Sequence, residues 1–200
     1  MILATRAVAA VLLATAALGG CVAPVGPVEV TRFHDATLLD RVGRGTIAVE
    51  PAAGMDPASL ELRSYQSAVA RRLVTLGYRE APVGSGGQVA LVRLQRTAFR
   101  PGRDGSPVSV GVGGGGGSYG SGVGMGIGID LSGASAEQVT TELGVQIRDR
   151  ASGKTVWEGR ARFTVRASSP LADTQLGAAK LAEALFANFP GNSGETIQVQ

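Results

Sequence analysis

Two runs of strict alternation limit what this chain can fold into more than anything else in it. Val139, Thr141, Leu143, Val145 and Ile147 point one way, against Thr140, Glu142, Gln146 and Arg148. After a turn at Asp149–Gly153, Thr155, Trp157, Gly159, Ala161, Phe163 and Val165 share a face, against Lys154, Glu158, Arg160, Arg162 and Arg166. A period of two means strands with one buried and one wet face. The pair therefore predicts a long hairpin whose register is set by burial of the apolar side. Pairing Arg148 with Lys154 across the turn sets Val145 against Trp157 on the core side and Glu142 against Arg160 on the wet side. Trp157 on the inward face is most simply a core anchor.

One-sided strands need one-sided partners. Asp56-Pro57 reads as a helix start, with Asp56 as N-cap and Pro57 at the first helical position. Leu62, Tyr65, Val69, Leu73 and Leu76 then recur at spacings of three and four, with Ser64, Ser67 and Arg71 on the other face and Gly77 as the stop. Ser169-Pro170 predicts a second helix start. Its apolar face is Leu171, Ala178, Leu181, Ala182, Leu185 and Phe189, and Pro190-Gly191 ends it. Val28–Phe33, Thr46–Glu50 and Val89–Leu94 are further strands, and Glu195–Gln200 has weak strand character. The expected architecture is α+β, a mostly antiparallel sheet with both amphipathic helices packed on one face.

Between the third strand and the long hairpin lies a glycine-rich stretch. Val108, Val110 and Val112 alternate with Ser109, Gly111 and Gly113, and Val123, Met125, Ile127 and Ile129 alternate with Gly124, Gly126 and Gly128. This predicts a second hairpin over 108–130, with one apolar face, one face of bare backbone and a disordered tip at Gly113–Gly122. It contains G-x-G-x-x-G at Gly111, Gly113 and Gly116, but a dinucleotide fingerprint needs a helix starting on the glycines, and here a strand follows. The bland reading is a sheet edge with a floppy tip. The alternative is a docking edge that a partner strand extends.

The N-terminus assigns the compartment. Arg6 is followed by an apolar run to Leu18 and then by Leu18-Gly19-Gly20-Cys21. A basic start, a short apolar run and small residues at a cut site describe a secretory signal. The final four residues resemble the lipobox of bacterial lipoproteins, which implies acylation of Cys21 and, with Val22 after it, the periplasmic face of the outer membrane. The expected organisation is a signal peptide over 1–20, a tether over 21–28 containing Pro24, Gly26 and Pro27, and an α+β domain over 29–200. Removing residues 1–20 from the 200-residue chain leaves 180, one domain of ordinary size. The apolar run is too short to span a bilayer, and no later stretch approaches the roughly 20 apolar residues a spanning helix needs.

Counting excludes much chemistry. Cys21 is the single cysteine and His34 the single histidine. A Cys/His zinc site, a Cys–His nucleophile pair and an internal disulfide are ruled out. His34-Asp35 could be half of a catalytic pair, yet no nucleophile motif accompanies it. The 19 Lys+Arg and 16 Asp+Glu are interspersed, with no basic footprint for nucleic acid.

The layout resembles the bacterial lipoproteins that carry DUF4136. The matching features are the lipobox, an early strand pair, a helix ending in Leu76-Gly77-Tyr78, and the strand Glu142–Asp149. They continue with Ala151-Ser152-Gly153-Lys154, Thr155-Val156-Trp157-Glu158-Gly159-Arg160-Ala161, and a last helix running into Phe189-Pro190. The resemblance implies an envelope lipoprotein with no assigned catalytic residues. The glycine-rich hairpin departs from that pattern. The expectation is a non-enzymatic outer-membrane lipoprotein without cofactor, attached to the membrane through Cys21, that acts as an envelope adaptor through a protein partner. Two alternatives stand beside it: a periplasmic carrier or transport accessory lipoprotein that holds a lipid or other apolar ligand between sheet and helices, and, last, a hydrolase using His34.

Overall fold

Seven strands form one sheet in the order β3-β2-β4-β7-β8-β1-β9. They are β1 (Val28–His34), β2 (Thr46–Pro51), β3 (Arg79–Glu80), β4 (Gln88–Phe99), β7 (Gln138–Asp149), β8 (Thr155–Arg166) and β9 (Thr196–Val199). The structure, a computed structural model, describes residues 26–101, 108–113, 124–129 and 136–200, the second and third of these as backbone. The signal peptide, Cys21, most of the tether and the predicted tip of the glycine hairpin lie outside the described residues. Helices α1 (Leu60–Thr75) and α2 (Thr174–Leu185) pack against the sheet and against each other.

The α+β class holds, but the sheet is mixed rather than mostly antiparallel. Strand β2 runs parallel to β3 and to β4, while β4–β7, β7–β8, β8–β1 and β1–β9 are antiparallel. The cause is the order strand, helix, strand: α1 carries the chain from the end of β2 back to the start, so β4 enters beside β2 in the same direction. The tail predicted to have weak strand character is a strand, adding Thr196–Val199 to the free side of β1.

Both helices start later than their cap–proline pairs suggest. Asp56 Oδ1 accepts from the Ala58 amide and closes a turn, while Ser59 accepts from the Leu62 amide as the N-cap of α1. Ser169-Pro170 opens a 3-10 turn over Pro170–Ala172, and Asp173 caps α2. A side-chain oxygen two residues before a free amide satisfies a turn as readily as a helix, and here the turn wins. The predicted end of α1 stands: Leu76 closes the helix and Gly77 takes φ of 101°. A side chain there would collide with the Gly43 carbonyl at 2.8 Å.

The β7–β8 register differs from expectation by two residues. Ile147, not Val145, faces Trp157, Val145 faces Gly159, and Glu142 faces Arg162, with an irregularity between Ile147 and Arg148. A two-residue shift leaves every side chain on its predicted face. Val139, Thr141, Leu143, Val145 and Ile147 are buried as expected, and so are Trp157, Ala161, Phe163 and Val165. Leu143, Val145, Ile147, Trp157, Ala161, Phe163 and Val165 make one core with Leu62, Tyr65, Val69 and Leu73 of α1 and Ala178, Leu181, Ala182 and Leu185 of α2.

Trp157 anchors that core. It is fully buried, its Nε1–H donates to the Pro190 carbonyl at 3.0 Å, and its ring packs on Phe186 and Phe189 at centroid distances of 5.4 and 5.1 Å. The ring also lies over Gly159: a Cβ there would sit 2.5 Å from Cη2 of Trp157 and 2.9 Å from Cδ1 of Leu185. The Trp-x-Gly spacing is thus a packing requirement, in which the strand gives up a side chain so that the indole can fold over it.

Tyr65, also in the core, yields a prediction. Burial pushes its phenol from 10.0 up to about 12. A raised value in the folded state means the neutral phenol is favoured by folding. That stabilisation is complete below pH 10 and is lost as pH rises through 12. The tyrosinate absorbance of Tyr65 should therefore emerge together with loss of circular dichroism above pH 10. Ionisation of all tyrosines near pH 10 with the fold intact would contradict it.

Candidate functional site

The residues singled out from sequence do not converge on a catalytic centre. His34, at the end of β1, faces inward beside Trp157, and its Nε2 lies 3.2 Å from the Gly191 carbonyl. A carbonyl only accepts, so Nε2 carries the proton, and Nδ1 is buried with no partner among the described residues. Asp35 is taken up as the cap of the turn that follows it. Its Oδ1 accepts from the Thr37 amide at 2.9 Å and the Thr37 hydroxyl at 2.7 Å, which holds its carboxyl below the usual carboxylate range. Ser193 bonds the backbone of His34, not its ring. The pair is a strand end and a turn cap.

Gly111 and Gly113 of the G-x-G-x-x-G match lie within β5 (Val108–Gly113), which pairs antiparallel with β6 (Gly124–Ile129) as a separate two-stranded ribbon. The register sets Val108, Val110 and Val112 opposite Ile129, Ile127 and Met125, and Gly111 and Gly113 opposite Gly126 and Gly124. The described parts of this stretch are strands, whereas a phosphate cradle needs a helix that starts on the glycines; Gly116 lies outside the described residues. Among the described residues no group of His, Cys, Asp or Glu is arranged to hold a metal ion, and no helix is long and apolar enough to cross a membrane.

A residue not anticipated is Arg32. It occupies an inward position of β1, in register with Gly159, and is only 4% exposed. Its guanidinium donates through Nε to the Leu185 carbonyl and through Nη2 to the Ala184 carbonyl, both at 3.0 Å. These are carbonyls of the last turn of α2, which has no basic residue of its own there. A cation at a helix C-terminus meets both the orphan carbonyls and the negative end of the dipole. Burial lowers the guanidinium from its ordinary value and Glu195 opposes that shift. The sequence signal was there to be read, since Arg32 continues the parity of Val28 and Val30.

The helices leave the other side of the sheet uncovered, and the most distinctive surface lies there. Its cross-strand rows are Leu91–Gln146–Glu158–Phe33, Arg93–Gly144–Arg160–Thr31 and Gln95–Glu142–Arg162–Glu29. Over the first two rows is an open depression of about 300 Å³, and a second of about 260 Å³ adjoins it toward β1. Gly144 lies at the bare middle of the first, between Arg93 and Arg160. A Cβ at Gly144 would meet that of Arg93 at 3.7 Å, an ordinary contact, so packing does not require glycine there. Several charged groups of this surface are partly engaged: Arg93 with the Ala53 carbonyl at 3.1 Å, Arg162 with Glu29 at 2.8 Å, Glu158 with Gln146 at 3.2 Å. The arrangement offers hydrogen bonding and charge of both signs over a shallow floor.

The chain is similar to several known proteins. A curated relative is the uncharacterized protein ZMO1243 of Zymomonas mobilis subsp. mobilis, 31% identical over an alignment 216 positions long that covers 87% of this chain and 80% of the relative. Among solved structures, a PDZ domain protein from Parabacteroides distasonis superposes with a TM-score of 0.48 at 11% identity, over 87% of this chain but 39% of that one. PelC dodecamers from Paraburkholderia phytofirmans superpose with a TM-score of 0.44 at 12% and 15% identity, over 78% of this chain and 95% and 96% of theirs. The family model described as a domain of unknown function, DUF4136, matches residues 47–191, from β2 through the turn that seats Trp157. The chain belongs to the DUF4136 family.

Proposed function

We propose that this protein is a lipoprotein of the outer membrane, acylated at Cys21 on the periplasmic face, that works as an envelope adaptor through protein contacts rather than by chemistry. The anchor rests on Leu18-Gly19-Gly20-Cys21 and on the short distance from it to the first core residue, Val28. The observation that carries the contact role is the bare patch at Gly144 between Arg93 and Arg160, a glycine that packing does not demand on a sheet face the helices leave open. Carriage of an apolar ligand between the layers is the weaker reading, because Tyr65, Leu73, Leu143, Ile147, Trp157 and Leu181 fill that space.

Two substitutions test the halves separately. Cys21→Ser should abolish incorporation of labelled palmitate and move the protein out of the outer-membrane fraction; retention of label would remove the anchor. Gly144→Gln should leave the thermal midpoint near that of the parent while a discrete in-cell crosslink from the sheet face disappears. A crosslink that survives Gly144→Gln would move the contact surface elsewhere.

A further inference from the structure

The chain leaves and re-enters the domain at one end, and several features collect there. Val28 begins β1 beyond the Glu29–Arg162 pair, at the same end as the close of β8. That is also where β4 finishes and β7 begins, since Phe99 is paired with Gln138. Arg100 and Glu137 lie 3.6 Å apart across the neck from which the β5–β6 ribbon departs. The N-termini of both helices are at this end too, because Arg96 of β4 bonds Glu61 of α1 and Thr174 of α2. Leu60 and Leu176, in the first turns of those helices, are 75% and 52% exposed, and Phe99 is 41% exposed. Large apolar side chains are exposed elsewhere as well, Val74 and Val83 among them, so exposure alone selects no end. The tether does.

Val28 lies seven positions after Cys21, and at about 3.1 Å per residue that spacing reaches roughly 22 Å. A lipid on Cys21 therefore holds this end, and not the Asp149–Gly153 end, against the bilayer. Strand β7 has 12 residues, so the far turn is about 40 Å away. The ribbon is tied to the near end, starting nine residues after Phe99 and finishing nine before Gln138. Its register aligns six apolar residues in three cross-strand pairs, and a two-stranded ribbon is marginal unless such a face is covered. At six residues per strand it falls short of the 9–11 needed to span a membrane.

We infer that the β5–β6 ribbon lies in the headgroup region of the membrane to which Cys21 is anchored, at the end of the domain where Leu60, Leu176 and Phe99 are exposed. The inference rests on the anchor reading above, and it adds a direction: the bilayer is at the neck, and the turn at Asp149–Gly153 points into the periplasm.

The test uses the full lipidated protein carrying one added cysteine at a time, Met125→Cys in the ribbon, Leu176→Cys on the rim or Ala151→Cys in the far turn. Each is labelled with an environment-sensitive nitrobenzoxadiazole and reconstituted into phosphatidylethanolamine–phosphatidylglycerol vesicles containing doxyl-labelled lipid. Quenching at Met125→Cys and Leu176→Cys should exceed that at Ala151→Cys at least twofold. Equal or reversed quenching in vesicle-bound, acylated protein overturns the inference and leaves the anchor standing. An intact mass without acyl groups on Cys21 removes the anchor. If the ribbon probe is then quenched, the ribbon is a membrane element in its own right; if it is not, both readings fall.

Discussion

Trp157→Ala should destabilise the domain by about 3–5 kcal/mol, the range for removing a fully buried large aromatic. Denaturant unfolding followed by circular dichroism measures it, since the variant has no tryptophan. Three effects add here. The indole leaves a void between Phe186, Phe189 and Leu185, the Pro190 carbonyl loses its donor, and Gly159 is stripped of the ring that covers it. Trp157→Phe should fall between, because an aromatic ring remains but the hydrogen bond to Pro190 does not. A cost below about 1 kcal/mol for the alanine variant would mean that the aromatic cluster is not the anchor described above.

Arg32→Met should be next in size, a loss of about 2–4 kcal/mol. The methionine keeps much of the volume, so the loss reports the buried Leu185 carbonyl without its donor and the Ala184 carbonyl left with backbone amides such as that of Ala187 at 3.2 Å. Arg32→Lys keeps a charge but cannot reach two carbonyls with a planar fork, and it should recover only part of the loss. Thermal melts of the three proteins order them. Parent-like stability in Arg32→Met would show that water satisfies these carbonyls and that the guanidinium is dispensable.

Much of this fold was legible in the sequence where a periodicity was long. The faces of β7, β8, α1 and α2 follow from spacing alone, because burial of one side is the same physical demand at every repeat. What spacing does not carry is offset. Alternation has period two, so a slip of two residues satisfies it equally, and the choice fell to the turn. There Asp149 accepts from the Ser152 amide and its own amide donates to the Lys154 carbonyl. Strand direction was lost for a related reason: β2 and β4 look the same run forward or backward, and only the intervening helix makes them parallel. Arg32 escaped notice because a charge at the third inward position looks like the end of a pattern. The glycine at position 144 carries no signal as a letter; it becomes a bare floor only when β4 and β8 bring Arg93 and Arg160 to either side.

The pairing of Phe99 with Gln138 has one more consequence. Stripped of what lies between, β4 and β7 are an ordinary antiparallel hairpin, and residues 100–137 are an insertion at its tip. The entropic cost of closing such a loop grows only with the logarithm of its length. Its two ends are already held side by side by the longest ladder in the sheet. This is therefore the point in the chain where material can be lengthened, shortened or exchanged with the least disturbance to folding, a graft site in which new surface chemistry can be tried while the core stays as it is.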